Sequence, residues 1–260
     1  MSDQRGSRSS LWTVYESVAM VVGLGSLALL CLSWLPPALA LRLVLPRRLG
    51  QAIGRRTISF GFRLYLHILS RLCACRLDLS ALDRLRGEGS LIVAANHPSL
   101  LDAVLIVSRL PNAVCVMKAS LMDNPLLGAA ARLAGYVRNN GALPMIANSR
   151  DALNAGAQLV MFPEGSRTQR FPLDPFTASV GLIAQRAAVP VQTVFLEFST
   201  PYLGKHWPLF RRPELPLHCR ARLGRRFEAS ADHTLFTTEL EAYFRREAQP
   251  VWTQSTTTHD

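Results

Sequence analysis

His97 and Asp102 stand five positions apart in Asn96-His97-Pro98-Ser99-Leu100-Leu101-Asp102. An imidazole can take a proton from a hydroxyl near neutral pH. It does so better when a carboxylate fixes its tautomer and supports the imidazolium that forms. Five residues on an ideal helix turn through about 140°, so the two side chains would not share a helix face. The pair therefore requires His97 to precede a helix, with Pro98 at or near its first turn and Asp102 inside it. The block also reads as a plain helix start, capped by Asn96, with His97 incidental. The chain has no G-x-S-x-G elbow, so Ser99 is not read as a hydrolase nucleophile.

A second block, Phe162-Pro163-Glu164-Gly165-Ser166-Arg167-Thr168, gathers a carboxylate, a glycine, hydroxyls and a guanidinium in one turn. Gly165 lets the backbone approach a ligand, and N–H groups of such a turn can hold an anion. Arg167 can clasp a phosphate bidentately. Glu164 can accept a hydrogen bond from a substrate hydroxyl or hold Arg167 in place. The simpler alternative is a tight turn with a surface ion pair. Arg138, in Gly135-Tyr-Val-Arg138-Asn-Asn, is a further candidate for the same pocket, or a solvated arginine after an edge strand.

Both blocks need elements that place them. After Ser80, short apolar runs alternate with helical stretches. The strands are expected at Cys75–Leu79, Leu91–Ala95, Ala113–Met117, Gln158–Phe162, Val191–Leu196 and Leu217–Leu223. The helices are expected at Ser99–Arg109, Pro125–Ala134, Ile146–Ala155, Ala178–Ala187 and Leu235–Arg246. This alternation predicts an α/β fold with a mixed, largely parallel central sheet flanked by helices. In such sheets chemistry gathers where strands end and helices begin, and each block follows a strand. Thr200 to Pro216 reads as a loop.

The N-terminal part predicts a hydrophobic membrane anchor. Ser17 to Leu41 gives 25 residues without a charge, interrupted by Pro36-Pro37. Up to Leu35 a helix would span roughly 28 Å, against a hydrocarbon core of about 30 Å. The double proline stops or kinks that helix, which makes a hairpin within one leaflet the alternative to a crossing. A cleavable signal, with Arg5 and Arg8 as its charged start, is the third option. Gly23-Leu-Gly25-Ser-Leu-Ala28 matches a dinucleotide motif but follows no strand. Between Arg42 and Arg86 there are ten arginines and two acids, and this bias leaves the body on the cytoplasmic side of the inner membrane. Beyond Gly50, Ile58, Phe62, Tyr65, Leu69 and Leu72 share a helix face, opposite Arg56, Arg63, His67 and Arg71. That face suits the membrane surface or an ordinary core. The division expected is 1–75 for anchor and basic helix, 76–250 for the α/β domain, and 251–260 for a polar, disordered tail.

Composition narrows the classes. The 260 residues carry a formal net charge of +11, but only two of 29 basic residues, Lys118 and Lys205, are lysines. The charge alone therefore does not argue for a nucleic-acid partner. Five cysteines form no C-x-x-C pair and no zinc-ligand spacing, and nothing in the sequence calls for a metal or organic cofactor.

Together, His97-x-x-x-x-Asp102, the FPEGSRT turn and the anchor resemble the glycerolipid acyltransferase family over about residues 10 to 225. Lys118 to Arg138, with Pro125-Leu-Leu-Gly128 inside it, and Val189-Pro190-Val191 are weaker points of likeness. The resemblance implies a membrane-bound O-acyltransferase. The acyl donor would be acyl-CoA or acyl carrier protein, the acceptor lysophosphatidic acid and the product phosphatidic acid, as in phospholipid biosynthesis. His97 would be the general base, oriented by Asp102. Glu164, Gly165, Ser166 and Arg167 would line the acceptor site, with Arg138 as phosphate ligand. Two departures bear on the substrate. The block before Arg138 is short and lacks the usual preceding acid, and Pro175-Phe176-Thr177-Ala178-Ser179 lacks the usual lysine and glycine. The rival readings are a non-glycerophosphate acceptor, such as an amino-acid lipid or polyene-type product, and an inactive membrane-anchored lipid-binding protein.

Overall fold

The computed structural model describes residues 10–248. Arg5, Arg8 and the expected tail at 251–260 lie outside the described residues. A helical hairpin comes first, α1 (Ser10–Val44) and α2 (Arg47–Leu72). There follow β1 (Cys75–Asp78), a 3-10 turn at Ser80–Leu85, β2 (Ile92–Ala95), α3 (Asp102–Arg109), β3 (Ala113–Lys118) and α4 (Ala119–Asp123). Next are α5 (Pro125–Ala134), β4 (Val137–Asn139), α6 (Ala142–Asn154), β5 (Gln158–Met161) and α7 (Ser179–Ala187). The last described elements are β6 (Val191–Phe198), β7 (Leu217–Phe227) and α8 (His233–Glu247).

The strands form one seven-stranded sheet in the order β1-β7-β6-β2-β5-β3-β4. Every neighbouring pair is parallel except β6 and β7, so five strands end at one common carboxyl edge. β2 and β5 lie at the centre and are buried along their whole length. They are continuous runs without strong polar alternation, as two covered faces require. Val93, Ala95 and Val160 join a core with Tyr65 of α2 and Leu105 of α3. Ile92, Ala94, Leu159 and Met161 join a second core with Leu153 of α6, Ile183 of α7 and Phe244 of α8.

Local chemistry explains the elements that match expectation and those that do not. α5 runs as expected because Asn124 caps it, Pro125 opens it and Gly135, at φ 72°, ends it. α3 begins at Asp102, not at Ser99, because Asn96 is not its cap and Ser99 to Leu101 form a separate turn. α6 begins before Ile146 because Pro144 sits in its first turn, where a proline is tolerated. β4 has three residues and α4 five, too few for a periodic signal.

α1 is one helix of 35 residues, and Pro36 and Pro37 lie inside it. The expected break at the prolines does not occur. Losing two N–H groups leaves the Leu32 and Ser33 carbonyls without their intrahelical donors, a cost of about 3 kcal/mol per proline. Packing offsets it there, where Trp34, Leu35, Ala38 and Leu41 lie against Ala129 and Leu133 of α5. The chain reverses instead at Leu45–Pro46, and α2 returns along α1. Tyr15 donates to the Leu72 carbonyl at 3.1 Å, and Gly23 faces Leu69. The G-x-G-x-x-A look-alike is thus mid-helix. α1 is the one described helix long and apolar enough to cross a membrane.

The apolar face of α2 is turned toward protein. Tyr65 and Leu69 are buried, and Ile58 and Phe62 pack against the same core, while Leu72 is exposed. A membrane-lying role for that face is thereby corrected, since its area is already covered. α2 also crosses α5 closely. A side chain at Gly54 would come within 2.8 Å of the Ala134 nitrogen, whereas Gly61 has open space. Gly54→Val should therefore cost about 1–3 kcal/mol in detergent unfolding by urea. Gly61→Ala should be neutral or gain about 0.5–1 kcal/mol.

Candidate active site

β2 and β5 are parallel neighbours, with Val93 opposite Val160. The loops that leave them therefore emerge side by side at the carboxyl edge. The first carries His97 and the second carries the 162–168 turn. Three contacts lock them together. The His97 N–H donates to Glu164 Oε1 at 3.0 Å, and the Thr168 N–H donates to the His97 carbonyl at 2.9 Å. The His97 ring stacks on Phe162 with centroids 3.9 Å apart and planes 14° apart.

His97 Nδ1 lies 2.7 Å from Asp102 Oδ2, and the Ser99 N–H donates to the same oxygen at 2.8 Å. The Asp102 side chain is 0 % exposed and that of His97 17 %. The network assigns the ring proton to Nδ1, facing the carboxylate, and leaves Nε2 as the acceptor. The helix-face problem is solved by placing His97 ahead of α3 and Asp102 at its first residue. Pro98 lies outside the helix. Burial raises the Asp102 pKa, opposed by the His97 hydrogen bond and charge, the Ser99 N–H and the Arg167 charge.

Asn96 extends the sheet past the end of β2. Its Oδ1 accepts from the Leu196 N–H at 2.7 Å and its Nδ2 donates to the Leu196 carbonyl at 2.9 Å. Its side chain thus holds β6 rather than capping α3.

Glu164 is buried, and its oxygens are occupied by the protein. Oε1 also accepts from the Thr168 hydroxyl at 2.9 Å, and Oε2 accepts from the Asp174 N–H at 2.9 Å. Burial raises its pKa against these three donors. Glu164 therefore organises the His97 loop and is not an open acceptor-site ligand. Gly165 turns the chain at φ 71°, closed by its N–H to the Phe162 carbonyl at 2.9 Å. The half-buried Ser166 donates its hydroxyl to the Arg167 carbonyl at 3.3 Å.

Arg167 reaches the other way. Its Nη1 donates to the carbonyls of Leu203 and Gly204 at 2.9 and 2.8 Å, tying the turn to the 199–216 loop. Arg138 is on β4, two strands beyond β5, in a bidentate ion pair whose second contact, Nη2 to Asp123 Oδ2, is 2.7 Å. The structure thus unites His97, Asp102, Glu164, Gly165, Ser166 and Arg167, and leaves Arg138 apart from them. Phe162, Asn96 and Asp174 were not singled out as site residues. A cleft of about 820 Å³ runs beside the His97 loop, walled by the 199–216 loop, which also gave no periodic signal.

A histidine held by a buried aspartate on the carboxyl edge of a largely parallel sheet is an arrangement that can move a proton. Residues 76–197 match the Acyltransferase family model. The 1-acyl-sn-glycerol-3-phosphate acyltransferase of Helicobacter pylori is 25% identical over 139 residues, 48% of this chain and 58% of that protein. The lyso-ornithine lipid O-acyltransferase of Pseudomonas aeruginosa is 31% identical over 137 residues, 50% of this chain and 52% of that one. The chain spans about half the length of these relatives. The crystal structure of the 1-acyl-sn-glycerophosphate acyltransferase PlsC from Thermotoga maritima shares the fold. Its TM-score is 0.69 at 16% identity, covering 89% of this chain and 95% of that one. These likenesses support the glycerolipid acyltransferase family for this chain, with the family model carried by residues 76–197.

Two measurements test the geometry. Glu164→Ala strips buried N–H groups of their acceptor, at about 1–3 kcal/mol each. It should unfold at lower urea and lose turnover; full activity would show that the His97 loop stands without it. Asp102 has a folded pKa above its unfolded one, so its neutral form stabilises the fold at low pH. That contribution is lost as pH rises from the ordinary carboxylate range through the raised value. The urea midpoint of Asp102→Asn should therefore climb relative to wild type across that window and then level. A flat difference would place the Asp102 pKa at its ordinary value.

Proposed function

We propose that the protein transfers a fatty acyl group from a thioester to the free hydroxyl of lysophosphatidic acid, giving phosphatidic acid. The observation that carries this is the 2.7 Å contact between His97 Nδ1 and the buried Asp102 carboxylate, in a chain with these likenesses. Nε2 takes the hydroxyl proton as the oxygen attacks the thioester carbonyl. The tetrahedral oxyanion collapses, the carbon–sulfur bond breaks, and the leaving thiolate takes the proton back from the imidazolium. Asp102 holds the tautomer and stabilises the imidazolium. The donor is acyl-CoA or acyl carrier protein. The apolar α1 and the arginine excess that follows it support a place at the cytoplasmic membrane, with the sheet on the cytoplasmic side.

A second acceptor has its own support. The lyso-ornithine relative is 31% identical, and Arg138 is already occupied by Asp123. An amino-acid lysolipid acceptor would use the same base.

Membranes carrying wild type or His97→Ala, given labelled lysophosphatidic acid or labelled lyso-ornithine lipid with either donor, decide between these. Phosphatidic acid should form with wild type and fall about 10²–10⁴-fold in the variant, the usual worth of a general base. Product from lyso-ornithine lipid alone would transfer the assignment to the second acceptor. No product from either acceptor would overturn both.

A further inference from the structure

Acyl transfer of this kind brings two phosphorylated reactants to one base. The carboxyl edge of the sheet offers cations on both sides of His97. On one side lies Lys118 at the end of β3, with Arg138, ion-paired to Asp123, on the neighbouring β4. On the other side, beyond β6, lies the cleft of about 820 Å³.

One wall of this cleft is the His97 loop itself, through Asn96, Pro98 and Ser99, with Thr168 beside them. Its opposite wall carries Lys205, His206 and Arg211. Lys205 is one of only two lysines in the chain. Arg211 lies 4.4 Å above the Trp207 ring, and the indole Nε1 donates to the Arg211 carbonyl at 3.2 Å. This makes a flat, cationic shelf at the rim. Arg220 also lines the cleft but is paired with Asp78 at 3.6 Å. The acids facing the space are Glu197, paired with Arg222 at 3.5 Å, and Glu214. Phe198 and Tyr202 also line it, and the buried Thr200 hydroxyl there has no hydrogen-bond partner. A ligand matching this lining carries an anionic group for the cations, a polar group for the Thr200 hydroxyl and a reactive group for the His97 loop.

We propose that this cleft receives the acyl donor through its phosphorylated pantetheine arm. Lys205, His206 and Arg211 hold the phosphate at the rim, and the thioester is delivered past Asn96–Ser99 to the base. Arg167, by gripping the Leu203 and Gly204 carbonyls, positions the cationic loop against the catalytic turn. The assignment rests on the acyl-transfer reading above, and it puts donor and acceptor on opposite sides of His97.

The test is Lys205→Glu/Arg211→Glu in the full-length chain, solubilised in detergent. The KM for acyl donor should rise about tenfold or more while the KM for the lysophospholipid stays put. The donor KM of wild type should climb with ionic strength, and that of the variant much less. A rise for both acyl-CoA and acyl carrier protein supports recognition of the shared arm. A rise for acyl-CoA alone supports the cleft with the nucleotide phosphates as the source. Calorimetric titration of coenzyme A, which needs no turnover, should show about tenfold weaker binding in the variant. If wild type transfers no acyl group yet binds coenzyme A through these residues, the activity assignment fails and the cleft stands. If the acceptor KM moves instead, or neither donor KM nor coenzyme A binding changes, the cleft is not the donor site.

Discussion

One buried carboxylate oxygen sets the geometry on which this site depends. Asp102 Oδ2 accepts from both the His97 ring and the Ser99 backbone. Neither donor could be removed without freeing the other, because a carboxylate held by one contact can rotate about its own axis. The backbone bond fixes where the oxygen is, and the imidazole is then read against it. Placing an acid where water cannot reach it raises the cost of its charge. That cost makes the imidazolium a welcome neighbour once it forms.

The second carboxylate works differently. Glu164 spends its acceptors on the His97 N–H, the Thr168 hydroxyl and the Asp174 N–H, joining three segments that have no common secondary structure. Loops at a strand's end have no ladder to hold them, so a buried acceptor replaces it. Arg167 does the converse with a donor, binding two carbonyls of the next loop. Glu164 is thus committed to the protein on both oxygens, and Arg167 through its Nη1.

The sheet was legible because its central strands are apolar runs bounded by loops, and α5 because its cap, proline and glycine are all local signals. The His97–Asp102 pair was legible as a condition on where a helix begins, and the structure meets it by starting α3 three residues later than periodicity suggested. What could not be read is whatever depends on which strands are neighbours. Glu164 meets the His97 backbone, and Phe162 its ring, only because β5 lies beside β2. Asn96 meets Leu196 only because β6 lies on the other side. Arg138, in sequence the weaker candidate for the pocket of Arg167, is carried by β4 at the sheet's far edge, where Asp123 claims it. The prolines of α1 carry a local penalty visible in sequence, whereas the α5 surface that offsets it is set by tertiary packing.

The helical hairpin and the sheet share a core. Ala19 of α1 and Tyr65, Leu66 and Leu69 of α2 belong to the same buried cluster as Val93, Ala95 and Leu105. The stretch that matches the family model begins at residue 76, after both helices. A truncation made there would bare the faces of α3 and α5 against which the hairpin packs. The hairpin is therefore no detachable tether: the helices that carry the apolar stretch are packed into the same core that sets the strand carrying the His97 loop.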